Sequence, residues 1–301
     1  MPAPIRLALA AALVAAIAPQ PARACSVCAC GDPLLAASEA PAMAGALRLT
    51  VDAEWLRVRA ASDAGPGLTD RLTQQTLRLG AVWSPADRLN LALAVPLTQK
   101  TMATVGAGPA APVSDELGLG DVDVGVRWFP FTSADLGARR AQALGLSLGT
   151  SLPTGPRKAT LDEHGQLGTG AFGPYAGLLY RYGQGDLAAV ASLTGRVRTL
   201  NADGYRYGGA LLWTVQGEWD VHPRVSVALG LDGREAWADR AAGADVADTG
   251  GLVLAAAPAV SVNVAPGLFA SLRGQLPVFT RLRGAQSVDP TMTLGLQWQA
   301  F

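Results

Sequence analysis

The chain has 301 residues, of which 50% are hydrophobic and only 16% are charged, and its 24 basic and 24 acidic side chains give a formal net charge of zero. An ordinary soluble domain has about 25% charged residues and about 7% glycine, whereas this chain contains 35 glycines. Because the charge is balanced and no basic run occurs, a nucleic-acid partner is excluded.

The first 24 residues predict a cleaved export signal. Arg6 provides a cationic start, an apolar run covers residues 7–18, and residues 22–24 form an A-x-A cleavage site. The apolar run is shorter than the roughly 20 residues of a membrane-spanning helix. No helix-length apolar run follows, so a mature chain that enters a membrane must close its strands into a barrel to satisfy its backbone polar groups.

Residues 25–45 predict a short periplasmic lead-in that plugs the barrel in part, and they contain Cys25, Cys28 and Cys30. Three thiols this close together are able to hold a soft metal such as copper or zinc, although structural zinc normally has four ligands. A disulfide between Cys25 and Cys28, or a lipid on Cys25, are the alternatives. Ala29 stands where a haem-attachment motif requires histidine. No other cofactor is predicted.

Residues 46–301 alternate between apolar and polar or small side chains, most clearly at 206–232. Successive side chains of a strand point to opposite faces, so each such segment predicts a strand with one apolar face. The segments are often ten residues or longer, which matches the roughly 9 to 11 residues of a bilayer-crossing strand better than the five or six of a soluble one. Twelve strands are predicted, at 47–55, 77–83, 89–97, 122–128, 144–152, 172–182, 187–199, 206–219, 225–232, 252–262, 268–278 and 291–301.

The predicted connections alternate between tight turns, such as 84–87 and 183–186, and longer stretches, such as 99–116 and 153–169. Outer-membrane barrels have short periplasmic turns and long external loops. We therefore predict an all-β fold, a transmembrane antiparallel up-and-down β-barrel of about 12 strands spanning residues 46–301, in the outer membrane of a Gram-negative bacterium, with both termini periplasmic. Aromatic residues gather near the predicted periplasmic rim as an interfacial belt: Trp83, Trp128, Phe129, Tyr180, Tyr182, Trp219, Phe269, Trp298 and Phe301. Tyr207, Trp237 and Trp55 are predicted to lie nearer the outer rim. The terminal Phe301 is the kind of residue that barrel-insertion machinery recognises.

Several segments carry a family resemblance. They are 118–129 (GLGDVDVGVRWF), 89–96 (LNLALAVP), 145–155 (GLSLGTSLPTG), 170–180 and 268–286 (LFASLRGQLPVFTRLRGAQ). Their order and spacing resemble the outer-membrane transporters of the phenol-degradation MetA-pathway type, which are loosely related to FadL-like channels. The resemblance implies an outer-membrane barrel that passes small, often hydrophobic or aromatic, compounds. It transfers no binding residue to this chain.

Charged residues on the polar face of the predicted strands are expected to face the lumen. Asp121 and Asp123 are two residues apart and therefore share a face with Arg127. Buried charge is costly unless it is paired, so a lumen salt-bridge network is expected, and lumen charges also tune the selectivity of a pore. The lumen-facing candidates are Asp121, Asp123, Arg127, Arg196, Arg198, Glu218, Arg273 and Arg281, with Arg78 and Asp232 as further members of the network.

The sequence predicts no enzyme. Its two histidines, His164 in a long loop and His222 in a tight turn, lie at opposite rims and are interpreted as solvated surface residues. The predicted function is a passive channel or transporter for small molecules, with outer-membrane lipid and solutes as partners. The alternatives are a barrel that does not transport and whose Cys cluster binds a soft metal or a redox partner, and a soluble secreted β-sandwich.

Overall fold

The computed structural model describes residues 43–61, 68–106, 111–161 and 163–300. Within these residues no helix is long and apolar enough to span a membrane. The predicted export signal, Cys25, Cys28, Cys30 and Phe301 lie outside the described residues. The strands are β1 (Leu47–Ala61), β2 (Thr69–Ala86), β3 (Leu89–Val105), β4 (Ala111–Leu119), β5 (Val122–Asp135), β6 (Arg140–Leu152), β7 (Gly173–Gln184), β8 (Leu187–Arg196), β9 (Tyr205–Arg206), β10 (Ala210–His222), β11 (Val225–Ala236), β12 (Arg240–Ala241), β13 (Ala244–Asp245), β14 (Gly251–Ala265), β15 (Leu268–Leu282), β16 (Gln286–Val288) and β17 (Thr291–Ala300).

Twelve antiparallel strands close into a barrel, which confirms the predicted fold class. The closure is made by β1, where Leu47 lies opposite both Trp83 of β2 and Ala300 of β17. Two barrel strands are interrupted. One consists of β4 and β5, which both pair with β3, and the other of β16 and β17, which both pair with β1. The short strands β9, β12 and β13 form a separate three-stranded sheet.

The two ends of the barrel differ in their connections. One end, called the turn end below, carries tight hairpins such as 185–186 and 223–224, together with the first and last described residues. Two-residue hairpins suit the right-handed twist of paired strands. The other end, called the loop end, carries the connections 153–172, 197–209 and 237–250. The alternation of short and long connections follows the sequence pattern.

The prediction that residues 99–116 form a long connection was wrong. Strand β3 continues to Val105, and β4 runs back beside it, with Gln99 opposite Leu117. On this stretch Gln99 and Thr101 both donate a hydrogen bond to Asp115, at 3.1 Å. The strand went unrecognised because its outer face is polar here, so the apolar alternation on that face stops while the backbone ladder continues.

The barrel is apolar outside and polar inside. Leu79, Leu148 and Leu229 are 50%, 61% and 67% exposed on the outer wall. Water-soluble proteins rarely expose continuous apolar surface on this scale. The inner wall buries polar and charged side chains instead, including Glu54, Gln74, Thr76, Arg78, Asn90, Thr98, Lys100, Asp123, Ser151, Ser192, Thr194, Arg196 and Gln216.

The predicted aromatic belt needs two corrections, at Phe129 and Phe269. Trp128 is 52% exposed on the outer wall, but its neighbour Phe129 is 1% exposed and packs inside against Ala143, Leu179 and Val190. Consecutive residues of a strand face opposite ways, so both rings cannot lie on the lipid side. Phe129 therefore fills the interior near the turn end and does not belong to the belt. Phe269 also faces the interior, because it lies opposite Gln297, whose neighbours Leu296 and Trp298 are exposed on the outer wall.

At the loop end the polarity of β1 and β2 inverts. Leu56, Val58 and Leu72 pack inside the barrel with Met102 and are nearly fully buried. Val253, Leu282 and Val288 pack against this cluster. An apolar cluster therefore occupies part of the interior at the loop end.

Candidate functional site

The candidate site is the interior beneath residues 153–172, the connection between β6 and β7, which is called the inner loop below. His164, Gly165 and Gln166 are buried, although they belong to a loop. The ammonium of Lys100, an inward-facing residue of β3, donates to the carbonyl oxygens of His164 at 3.3 Å and Gln166 at 2.6 Å. Because β3 is not a neighbour of β6 or β7 in the sheet, these bonds place the inner loop across the lumen.

The inner loop has its own internal structure. The Gln166 side chain donates to the Lys158 carbonyl at 2.7 Å and accepts from the Lys158 amide at 2.7 Å. At its base the two chain directions touch at Gly155 and Gly168, where a Cβ on either residue would lie about 2.5 Å from backbone atoms of the other. Only glycine allows this approach. The loop is therefore a compact insert with closely spaced ends.

Asp121 fixes the base of the inner loop. Its carboxylate accepts hydrogen bonds from the Gly155 amide at 3.0 Å, the Thr169 amide at 2.8 Å and the Thr169 hydroxyl at 2.5 Å. These bonds join both ends of the loop to the break between β4 and β5. Asp121 and Asp123 therefore have different roles, although they are only two positions apart in the chain.

A polar network connects the inner loop with 197–209 and 237–250. Arg157 bonds Glu163 at 2.8 Å and Asp203 at 2.6 Å, and the Tyr207 hydroxyl donates to Glu163 Oε2 at 2.8 Å. Burial, followed by the charge of Glu163, raises the pKa of the Tyr207 phenol well above its usual range. The phenol therefore stays neutral and remains a donor. The prediction that Tyr207 belongs to the outer aromatic rim was wrong, because its side chain lines the interior beneath the inner loop.

The second half of this network centres on Asp239, which is fully buried. Its carboxylate accepts from the Tyr205 hydroxyl at 2.6 Å and from the Gly208 amide at 2.6 Å. His164 Nε2 lies 3.6 Å from the same carboxylate. Burial and then Asp239 raise the pKa of Tyr205. The interpretation of His164 as a solvated surface residue was wrong, because the inner loop turns into the barrel; His222 is exposed.

Asp123 and Arg196 form an ion pair across the interior. The Arg196 guanidinium lies 3.3 Å from Asp123 Oδ1, to which the Ser151 hydroxyl also donates. Arg196 also lies 5.6 Å from the centre of the Tyr175 ring, which is within cation–π range. The Tyr175 hydroxyl rests where Cβ atoms on Gly125 and Gly149 would stand. Two glycines of the segments that carry the family resemblance thus make room for this ring.

A second charged network lies closer to the turn end. Arg273 binds Asp232 with two contacts of 2.8 Å and donates to Gln216 at 2.6 Å. Gln216 donates to Glu218 at 3.0 Å, and Glu218 accepts from Arg181 at 2.6 Å. Arg181 is a member that the sequence reasoning missed. The alternation could have identified it, since it precedes the outward-facing Tyr182 by one residue.

The remaining predicted residues take three different positions. Arg127 lies on β5 opposite Asn90 and Ser147. Arg198 stacks over the Tyr207 ring at 5.7 Å, close to the inner loop. The prediction for Arg281 was wrong: it is exposed and points outward, because its neighbour Leu282 packs inside. A register shift in the β14–β15 pairing inserts one residue before it, and such a bulge reverses the faces beyond it.

The described residues line a cavity toward each end of the barrel interior. One, of about 70 Å³, lies beneath the inner loop and is lined by Lys100, Asp123, Arg196 and Tyr207 among others. It has room for several water molecules. The second, of about 680 Å³, is at the turn end and is lined by Arg88, Arg181 and Glu218 among others. The interior is therefore wide at the turn end and narrow under the inner loop.

Metal chemistry remains a prediction. Within the part of the chain that the structure describes, no group of three metal-ligating side chains is arranged to hold an ion. Cys25, Cys28 and Cys30, the predicted candidates, lie outside that part.

Comparison with known proteins shows the fold. No protein-family profile matches the chain, and no curated protein sequence matches it. Among solved structures, an outer membrane channel from Pseudomonas putida F1 is similar with a TM-score of 0.68 and 16% sequence identity, covering 90% of this chain and 100% of that one.

Two further solved structures are less similar. The translocator domain of the autotransporter NalP from Neisseria meningitidis has a TM-score of 0.44 and 13% identity, covering 86% of this chain and 90% of that one. The NanC porin has a TM-score of 0.44 and 11% identity, covering 83% and 98%. At these scores neither structure adds to the argument, and the first similarity shows a shared barrel fold alone.

Proposed function

We propose that the protein is an outer-membrane channel for small molecules in a Gram-negative bacterium. The observation that carries the proposal is a closed barrel with an apolar outer wall and a charged interior, narrowed by one inward-folded loop. The apolar outer wall fits a lipid environment, and a closed barrel leaves no backbone group unpaired in the bilayer. The similar barrel from Pseudomonas putida F1 is an outer membrane channel, which supports this proposal.

The orientation follows from the connections. Short turns face the periplasm and long loops face outward in bacterial barrels, so the turn end is periplasmic in our proposal and both termini lie there. Solutes would enter at the loop end, pass the inner loop and leave through the cavity of about 680 Å³. No step requires a catalytic group.

The substrate class is a finer proposal. The cavity under the inner loop is lined by Lys100, Arg196 and Tyr207, which favours solutes that accept hydrogen bonds or stack on an aromatic ring. The resemblance to the phenol-degradation MetA-pathway transporters points to small aromatic compounds. Both are met by an aromatic compound that carries an oxygen acceptor, such as a phenol or an aromatic acid.

Planar-bilayer recording on the purified mature chain tests channel function. Discrete conductance steps are expected. A gradient of benzoate, an anion, should shift the reversal potential, and neutral phenol should block the current briefly. A protein that inserts into the bilayer but shows no conductance above that of empty bilayers contradicts the proposal.

A barrel that does not transport, with a metal- or redox-active Cys cluster, remains the second prediction. Copper or zinc binding in a one-to-one ratio, lost when Cys25, Cys28 and Cys30 are replaced by Ser, together with absent conductance, would favour it.

A further inference from the structure

Three arginines form a patch on the outer wall at the loop end: Arg57 and Arg59 on β1 and Arg71 on β2, here called the arginine patch. Their neighbours Val58 and Leu72 pack inside the barrel. Because consecutive residues of a strand face opposite ways, the three guanidiniums point outward. Arg57 and Arg59 keep about half of their side-chain surface exposed.

The arrangement of the patch places like charges together. Arg59 lies directly opposite Arg71 in the β1–β2 register, and Arg57 is the diagonal neighbour of Arg71. Like charges directly opposite one another destabilise a sheet. A single carboxylate, Asp289, is shared between Arg59 at 2.6 Å and Arg57 at 3.9 Å. The arginine patch and Asp289 together therefore carry three positive charges and one negative charge.

The position of the patch identifies the ligand chemistry. Two residues before Arg57 on the same strand, Trp55 is 37% exposed on the outer wall, and farther toward the turn end the outward-facing side chains are apolar, as at Val51. The patch thus begins where the apolar wall ends, at the level of the lipid headgroups if the barrel is embedded as proposed. Aromatic residues mark this interface in membrane proteins. Closely spaced guanidiniums favour phosphate, which they bind with paired hydrogen bonds.

We propose that the arginine patch binds the phosphate group of a lipid headgroup in the outer leaflet. The bound phosphate offsets the repulsion between Arg59 and Arg71 and fixes the barrel at this height in the bilayer. This inference rests on the outer-membrane location in the proposed function, but it does not depend on transport.

The test measures lipid binding by native mass spectrometry of the mature chain released from detergent micelles. Diphosphoryl lipid A is the probe, and chemically dephosphorylated lipid A is its matched comparison. We expect the wild-type protein to bind the diphosphoryl lipid at least tenfold more tightly. In a second experiment, millimolar inorganic phosphate is added to the complex with diphosphoryl lipid A. If phosphate displaces the lipid, phosphate alone occupies the patch; if it does not, binding requires the whole lipid. Equal binding of the two lipids overturns the inference without any variant.

The variant R59Q/R71Q should lose at least tenfold in affinity for diphosphoryl lipid A. The control is Arg240→Gln, which removes an exposed arginine at the same end but in the separate three-stranded sheet. Affinity equal to that of the wild type in R59Q/R71Q, or an equal loss in the control, overturns the inference. Conductance distinguishes the two proposals. A variant that conducts but does not bind the lipid leaves the channel intact, whereas a wild type that binds lipid without conducting contradicts only the channel.

Discussion

The loop end and the turn end of the barrel interior are built from the same kinds of side chain but packed differently. Under the inner loop the cavity measures about 70 Å³, and the Arg196–Asp123 pair has side chains 7% and 4% exposed. At the turn end the cavity measures about 680 Å³, and the Arg181–Glu218 pair is 29% and 17% exposed. The interior is therefore narrower at the loop end, where the charged pair is also more deeply buried and better shielded from water.

Removing the inner loop should have the largest effect, because it should abolish the difference in width between the loop end and the turn end. Because Gly155 and Gly168 touch, residues 156–167 can be deleted and the two glycines joined without stretching the barrel. Single-channel conductance in planar bilayers should rise several-fold, since the narrowest section is lost. Deleting 241–244 at the tip of the small sheet is the control and should leave conductance unchanged. A loop-deleted barrel with wild-type conductance would place the barrier elsewhere.

Replacing the arginine of each buried ion pair should lower the free energy of unfolding by different amounts at the two ends. Arg196→Met leaves Asp123 buried without its guanidinium, which costs about 3–5 kcal/mol. Arg181→Met at the more open turn end should cost clearly less, because water replaces the lost partner of Glu218. Urea unfolding in micelles, followed by tryptophan fluorescence, measures both. In the Arg196→Met background, Asp123→Asn should restore most of the loss; equal losses at the two ends contradict the comparison.

Loosening the base of the inner loop should have an intermediate effect. Asp121→Asn replaces a carboxylate that accepts three hydrogen bonds, and each charged bond contributes about 1.5–3 kcal/mol. Trypsin cleavage after Arg157 or Lys158 should then accelerate roughly 10- to 100-fold, because local opening exposes the inner loop. Asp115→Asn, on the outer wall, is the control, and its cleavage rate should match that of the wild type. An unchanged rate in Asp121→Asn would mean that Lys100 holds the loop without it.

The smallest predicted effect concerns pH. Tyrosine in the unfolded chain ionises near pH 10, whereas Tyr205 and Tyr207 are held neutral in the fold by burial and by Asp239 and Glu163. The folded pKa is raised, so this contribution to stability is fully present below about pH 10 and is lost as pH rises further. The loss reaches up to about 1.4 kcal/mol per pH unit for each tyrosine. Urea unfolding between pH 9 and 11.5 should show the slope in the wild type, and Y205F/Y207F should reduce it. The control Tyr182→Phe at the turn end should keep the wild-type slope.

Most barrel strands were predictable because their outer wall repeats with a period of two residues, as at 206–232. The prediction failed where that signal was absent. Residues 99–105 and 111–116 pair as strands whose outer face is polar, so apolar alternation could not reveal them. Arg281 was placed on the wrong face because one extra residue, Val278, reverses the parity of the strand beyond it.

The interior was predictable in kind but not in arrangement. The alternation of polar and apolar residues predicted that Asp123, Arg196, Glu218 and Arg273 face the interior. Their partners, however, come from strands that are distant in sequence. Residue spacing holds no information about such contacts. His164 shows the limit most clearly, since a loop residue becomes a buried one only when its loop folds inward.

The sequence by itself determined the closed barrel and its apolar outer wall, because side-chain direction along a strand is a local property that repeats every two residues. Only the tertiary structure decided that residues 153–172 cross the lumen, that Asp121 ties their two ends together, and that three arginines meet on the outer wall. These arrangements depend on strand register and on where the chain returns, and both are set by packing between segments far apart in the chain.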